Sequence, residues 1–211
     1  VIIANPDIHV TPRCIRRVKD ALDKTQGAVA ASARVKDPQG GELFSYWTLL
    51  PLWKDLLDTG LVTRRLFKAM LNTPSYRLAY AGDEDCRLVD AVPGSFFMLK
   101  TGLLTPGEIK EVFDKHIFLY YEEKVLGQKF RKMGLKTVLV TDESYVHAHS
   151  VSIDKSFKRI VDKQRLLHRS KLYYYKEYLG TGPAGMAAAR AVLGLVLAEV
   201  WFLTVVCRMR W

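Results

Sequence analysis

The sequence predicts an α/β domain followed by two C-terminal helices, and three observations carry that prediction. Short apolar runs ending in turn residues alternate with helical stretches, two of them opened by a threonine and a proline. Residues 153–178 hold a helical pattern dense in Lys and Arg. Residues 184–207 are almost wholly apolar. With 211 residues, 49% of them hydrophobic and 26% charged, the chain is long enough to bury a core and too apolar for disorder. Three scattered cysteines without a CxxC pair argue against a disulfide scaffold or a structural zinc site, and for a reducing compartment.

Residues Val1 to Ala4 read as a buried strand that breaks at Asn5-Pro6-Asp7. This places Asp7 just beyond the carboxyl end of a strand, where open α/β sheets bind ligands. Thr11-Pro12 then opens a helix with Ile15, Val18 and Leu22 inward. Ala28 to Val35 is a strand ending in the turn Asp37 to Gly41. Residues 43–71 are expected as helical pieces broken at Pro51 and Gly60, forming core or a partly exposed apolar flap, with core packing preferred over sugar stacking for Trp47 and Trp53. Arg87 to Leu99 reads as one strand interrupted at Pro93-Gly94. Thr105-Pro106 opens a short helix through Phe113, and a further helix spans Tyr121 to Met133, its inward face formed by Leu126, Phe130 and Met133. Gly134 ends it. Strands follow at Lys136 to Val140 and Tyr145 to His147. The basic helix comes next, with Phe157, Ile160, Val161 and Leu167 as its stripe, then the linker 180–183 and the apolar segment.

The net charge of +10 is uneven: Val151 to Trp211 holds eleven Lys/Arg against four Asp/Glu. Such a segment suits an anionic partner. No RNA-binding signature, zinc finger or basic zipper points to nucleic acid, so membrane headgroups are expected instead. The 24 residues Ala184 to Cys207 are long enough to cross a bilayer, but Glu199 at mid-membrane would cost about 2.5–3.5 kcal/mol. A helix lying in the membrane surface is therefore expected, with a full span as the alternative.

Asp7, the pair Glu122/Glu123 and His147 stand at strand and helix junctions rather than on solvated faces. A carboxylate and an imidazole converging on one cleft suit Mg²⁺ or Mn²⁺. A second carboxylate at a helix start is suited to act as a general base. His149, two residues beyond His147, would share its strand face and leaves a two-histidine arrangement open.

In order along the chain stand Asn5-Pro6-Asp7, Gly94-Ser95-Phe96-Phe97-Met98-Leu99, Val112-Phe113-Asp114, Phe118-Leu119-Tyr120-Tyr121-Glu122-Glu123, His147 and Arg169-Ser170-Lys171-Leu172-Tyr173-Tyr174. That series resembles the second half of a family 2 glycosyltransferase with the Rossmann-like GT-A fold, of the type that builds bacterial polysaccharides and rhamnose-containing glycans. The resemblance runs to Tyr178. It implies a preceding nucleotide-binding half, and this chain begins without Met inside an apolar run. The resemblance places Asp7 at the metal-binding aspartate and His147 at the histidine completing the metal site. Glu123 stands at the general base, Glu122 at its orienting neighbour, and Asn5, Gly94 and Ser95 at substrate contacts. Val125 and Lys129 stand where the family often has Asp and Arg.

The resemblance implies inverting transfer from a nucleotide-sugar donor to a glycan or lipid-linked acceptor, with a divalent metal, at the inner, cytoplasmic face of a bacterial membrane. The expected organisation is a catalytic and acceptor-side part over 1–150, a basic amphipathic helix over 151–180 and a membrane-associating helix over 181–211. Two other readings stay open: a non-catalytic basic protein peripheral to the membrane, and a hydrolase using a metal held by Asp7, His147 and His149. The second lacks an activating HExxH pattern.

Overall fold

The structure is a computed structural model that describes residues 1–67, 71, 85–117, 119–148 and 160–208. It is a mixed α/β protein, with one six-stranded sheet among the described residues. The described residues of Val1–Leu49, Pro74–Lys115 and Glu122–Ser150 form one compact unit, and those of Leu50–Thr73, His116–Tyr121 and Val151–Trp211 form another. Residues 50–73 and 116–121, expected within the first part, group instead with the C-terminal helices.

The first unit is built on strands β1 (Ile2–Ala4), β2 (Ile8–His9), β3 (Ala28–Lys36), β4 (Cys86–Val89), β5 (Phe96–Leu99) and β6 (Lys136–His147). The order is β1-β5-β3-β6, and the far edge of β6 carries β4 and β2 end to end. β3 and β6 run parallel, and every other pairing is antiparallel. Helix α1 (Pro12–Lys24) covers one face with Cys14, Val18 and Leu22 against Phe96, Met98, Val138 and Tyr145. The other face holds Phe97, Leu99 and Leu139 against Leu126 and Phe130. Covering both faces accounts for strands as apolar as Phe96–Leu99, in which alternate residues enter opposite cores.

The helix starts follow the sequence reading. The Thr11 hydroxyl accepts from Cys14 N at 3.1 Å, with Pro12 in the first turn. Before α4, here the short helix Pro106–Lys110, Thr105 and Glu108 form a capping box. Gly134, at φ 69°, ends Glu122–Lys132, the sheet-packed helix numbered α5 below, and Leu135 N donates to Phe130 O at 2.9 Å.

Several expectations change. Arg87 to Leu99 is two strands on different parts of the sheet: β4 pairs with β6, and β5 lies between β1 and β3. Local apolarity does not reveal which edge a strand will join. The two strands expected at 136–140 and 145–147 are a single β6 with a bulge opposite Ala33/Arg34. Met133 lies outside the core at 39% exposure, because α5 has ended at Lys132.

The second unit contains α2 (Leu52–Leu57), α3 (Leu61–Leu66), α6 (Ile160–Glu177) and α7 (Pro183–Trp201). α2 and α3 begin at Pro51 and Gly60, as expected. Trp53 is half exposed rather than core. Phe157 lies outside the described residues, and Ile160, Val161 and Leu167 are only half-buried. The buried face of α6 is polar and aromatic instead: His168, Ser170, Lys171, Tyr174 and Tyr175.

At its centre Lys171 Nζ meets Asp55 Oδ2 at 2.9 Å, and the same carboxylate oxygen accepts from Tyr121 at 2.5 Å and Tyr175 at 2.6 Å. Lys171 also donates to Thr59 Oγ1 and to Asp55 O. This cluster makes burial of the ion pair tolerable, since its charges are compensated by hydrogen bonds as well as by each other. Burial, with the Asp55 charge next in weight, pushes the Tyr121 and Tyr175 phenols above their ordinary value.

Candidate functional site

Every candidate residue belongs to the first unit. The chain leaves β1, turns through Pro6-Asp7 and enters β2, which pairs Ile8 with His147. Ala148 N donates to Asp7 O at 3.1 Å, closing that connection. Asp7 and His147 are consequently brought together across the sheet edge, with His147 Nε2 3.4 Å from Asp7 Oδ1. Their side chains are 32% and 12% exposed, so the pair is accessible but partly desolvated. His149 lies outside the described residues.

The segment before β5 ties this pair to the second candidate group. Asn5 N donates to Ser95 O at 2.8 Å, and Gly94 N donates to Glu123 Oε1 at 3.3 Å. Adjacent residues thus fix the Asn-Pro-Asp turn on one side and the Glu123 carboxylate on the other. Glu122 and Glu123 form the first turn of α5, where exposed N–H groups favour anions. The backbone enters this turn through Tyr120 and Tyr121, both left-handed at φ 65° and 72°. Consecutive non-glycine residues in that region are strained and persist where the surroundings determine them.

The two glutamates are electrostatically distinct from surface carboxylates. Desolvation, reinforced by the neighbouring Glu122 charge, pushes the Glu123 carboxyl up to about 7 despite the Gly94 N–H. Glu122 is also raised by burial, and its Oε2 is buried without a hydrogen-bond partner among the described residues. A carboxylate that titrates near neutrality is suited to accept a proton from a weakly acidic hydroxyl.

Ser95 differs from its expected role. It is buried, and its Oγ shares a 2.7 Å hydrogen bond with the buried Tyr145 hydroxyl, so the side chain faces the core. What Ser95 offers the site is its carbonyl, through Asn5. Gly94 is half-buried, and a Cβ there would meet Glu123 Oε1 at 3.5 Å, an ordinary contact. Its contribution is therefore its N–H rather than its lack of a side chain. Asn5 has an exposed side chain. Lys129 donates to Glu111 O and Val112 O, securing the segment after α4, and Val125 is core.

Tyr145 went unrecognised in the sequence. It stacks edge-on to Phe96 at 5.1 Å and underpins the 94–96 segment. Its only sequence signal was a tyrosine next to Val146 near the end of a strand, a residue that when buried needs a partner for its hydroxyl.

Asp7 and His147 offer a metal ion one oxygen and one nitrogen, a donor set suited to Mn²⁺ and less so to oxygen-preferring Mg²⁺. Among the described residues no group of three or more His, Cys, Asp and Glu side chains gathers to hold a metal. A metal bound here would need oxygens from a ligand or water. No protein-family model matches the chain, and no curated protein matches it.

Proposed function

We propose that this chain is the catalytic and acceptor-side part of an inverting GT-A glycosyltransferase that uses a nucleotide-sugar donor and a glycan or lipid-linked acceptor. The observation that carries the reading is the coupling of two chemically different groups through one short segment. Asp7 and His147 lie on one side of Gly94-Ser95, and Glu123, with its carboxyl raised to about 7, lies on the other.

In this reading Glu123 accepts the proton of the acceptor hydroxyl as that oxygen attacks the anomeric carbon. A hydroxyl is a poor nucleophile until relieved of its proton, and general-base assistance contributes roughly 10²–10⁴-fold. The Gly94 N–H orients the Glu123 carboxylate, and Glu122 keeps its neighbour's affinity for the proton high by like-charge repulsion. Asp7 and His147 would hold the divalent ion, which when bound neutralises charge on the departing diphosphate. The resemblance noted in the sequence supports this assignment, as does the mixed sheet with Asp7 beyond a strand end.

The C-terminal segment supports a location at a membrane surface, and the cytoplasmic face is what the resemblance implies. Pro183–Val206 is long and apolar enough to cross a bilayer, a property that core helices share. One stripe of α7 is buried, formed by Met186, Ala189, Leu193, Val196 and Val200, while Leu195, Trp201 and Phe202 are exposed. A helix with one flank committed to protein and the other apolar and exposed fits a surface-lying position better than an isolated span.

Glu123→Gln in the full-length gene product tests the central assignment. Transfer should fall at least about a hundredfold while donor binding stays nearly unchanged. Near-normal transfer would remove Glu123 from the mechanism.

A further inference from the structure

Glu199 stands in the most apolar segment of the chain, yet it is not a stray charge. Its Oε1 accepts from Val62 N at 3.0 Å and its Oε2 from Leu61 N at 3.3 Å, so it caps the first turn of α3. α3 has no side-chain cap of its own, because its N-cap residue is Gly60. Gly60 is buried against α7: a Cβ there would meet Val196 at 3.2 Å.

The cap joins two apolar stretches far apart in sequence. α3 presents Val62, Leu66 and Phe67, of which Leu66 is 74% exposed. The turns of α7 beside and beyond Glu199 present Trp201 and Phe202, and Val206 follows in the π-helical turn 202–206. The cations adjoining these residues in the chain are free to face an anionic surface: Arg65 on α3 and Arg208 beyond Val206 are exposed, and the acidic Asp58 is paired with Arg64. Apolar and aromatic side chains adjoined by Arg match the boundary between acyl chains and anionic headgroups.

We propose that α3 and the C-terminal turns of α7 form one composite surface that inserts into the headgroup–acyl boundary of an anionic bilayer, with Glu199 as the link between them. Both carboxylate oxygens are occupied by backbone N–H groups, which lets a glutamate sit beside lipid without remaining unpaired. The inference builds on the membrane location proposed above. It adds α3, a segment whose own six residues are too short to signal membrane contact in sequence.

Flotation of the complete chain with phosphatidylcholine vesicles, with and without phosphatidylglycerol, tests it. Val62→Glu/Leu66→Glu places charge at two exposed positions, so the melting temperature should hold while vesicle partitioning falls at least about tenfold. Arg65→Glu should weaken binding to the phosphatidylglycerol vesicles and leave the neutral ones unaffected. If the wild-type chain fails to float with either vesicle, the membrane location itself falls. If the wild type floats and the double variant floats equally well, α7 binds alone and the composite surface is wrong. A concentration-dependent dimer that the double variant abolishes, without flotation, would make the occupant a second copy and overturn the proposal.

Discussion

Replacing Glu123 by Gln should stabilise the fold while it abolishes the base. The carboxyl is pushed from 4.5 to about 7 in the folded state, chiefly by desolvation. In the unfolded chain it titrates normally, so folding above pH 4.5 requires either uptake of a proton or burial of a charge. The raised value therefore contributes stability that is fully present below about pH 4.5 and is lost as pH rises through about 7. At about 1.4 kcal/mol per unit the full loss would be about 3.5 kcal/mol, and because Glu123 is only half-buried about 1–3 kcal/mol is expected. Gln keeps a carbonyl oxygen for the Gly94 N–H and carries no charge. Urea unfolding of wild type and variant, followed from pH 4.5 to 8.5, should show curves that coincide at the acid end. The variant should gain between pH 5 and 7.5 and hold a constant advantage above. A variant advantage independent of pH, or absent at pH 8, would refute the claim that Glu123 is held in an environment hostile to its charge.

The buried pair of the second unit should behave oppositely. Lys171→Met removes the cation from the buried Asp55 carboxylate, leaving it beside the Tyr121 and Tyr175 hydroxyls, and should cost about 3–5 kcal/mol in urea unfolding, with partial recovery on adding Asp55→Asn. Because the Tyr121 and Tyr175 phenols are raised above 10, their contribution is present below about pH 10 and lost as pH climbs past it. Tyr175→Phe should blunt that alkaline loss, read by circular dichroism. Asp7→Asn and His147→Ala should each weaken Mn²⁺ binding by calorimetry at least about tenfold, and wild-type binding should decline as pH falls through the histidine range.

The parts of the fold that were legible in sequence are those written in local chemistry. Thr11-Pro12 and Thr105-Pro106 open helices, Gly134 closes one, and Pro51 and Gly60 break the region between them, all through interactions within a few residues. Asp7 was legible by itself, as a carboxylate at a strand end next to a turn, whereas its pairing with His147 came only from the resemblance. What stayed hidden depends on partners distant in the chain. Asp55 and Lys171 are 116 residues apart, and each alone resembles a solvated charge. The separation of β4 from β5 and the Ser95–Tyr145 bond have no local signature either. Ser95 reads as a loop hydroxyl until Tyr145 is seen facing it.

The bulge in β6 has a consequence for heredity as well as geometry. Opposite it, Ala33 pairs with Val140 while the next residue, Arg34, pairs with Ser144. Thr141, Asp142 and Glu143 therefore occupy the slack, and Asp142 and Glu143 use it to reach Arg17 and Arg13 on α1. Up to Val140 the strand answers to β4; beyond Ser144 it answers to β2. Side chains on a strand alternate faces, so the parity of this short insert decides which way His147 points. Loss of a single codon there, in a stretch contributing nothing to the central core, would let the first half of β6 keep β4 while its second half slips by one residue against β3 and β2. The imidazole would then turn to the sheet's opposite face, away from Asp7.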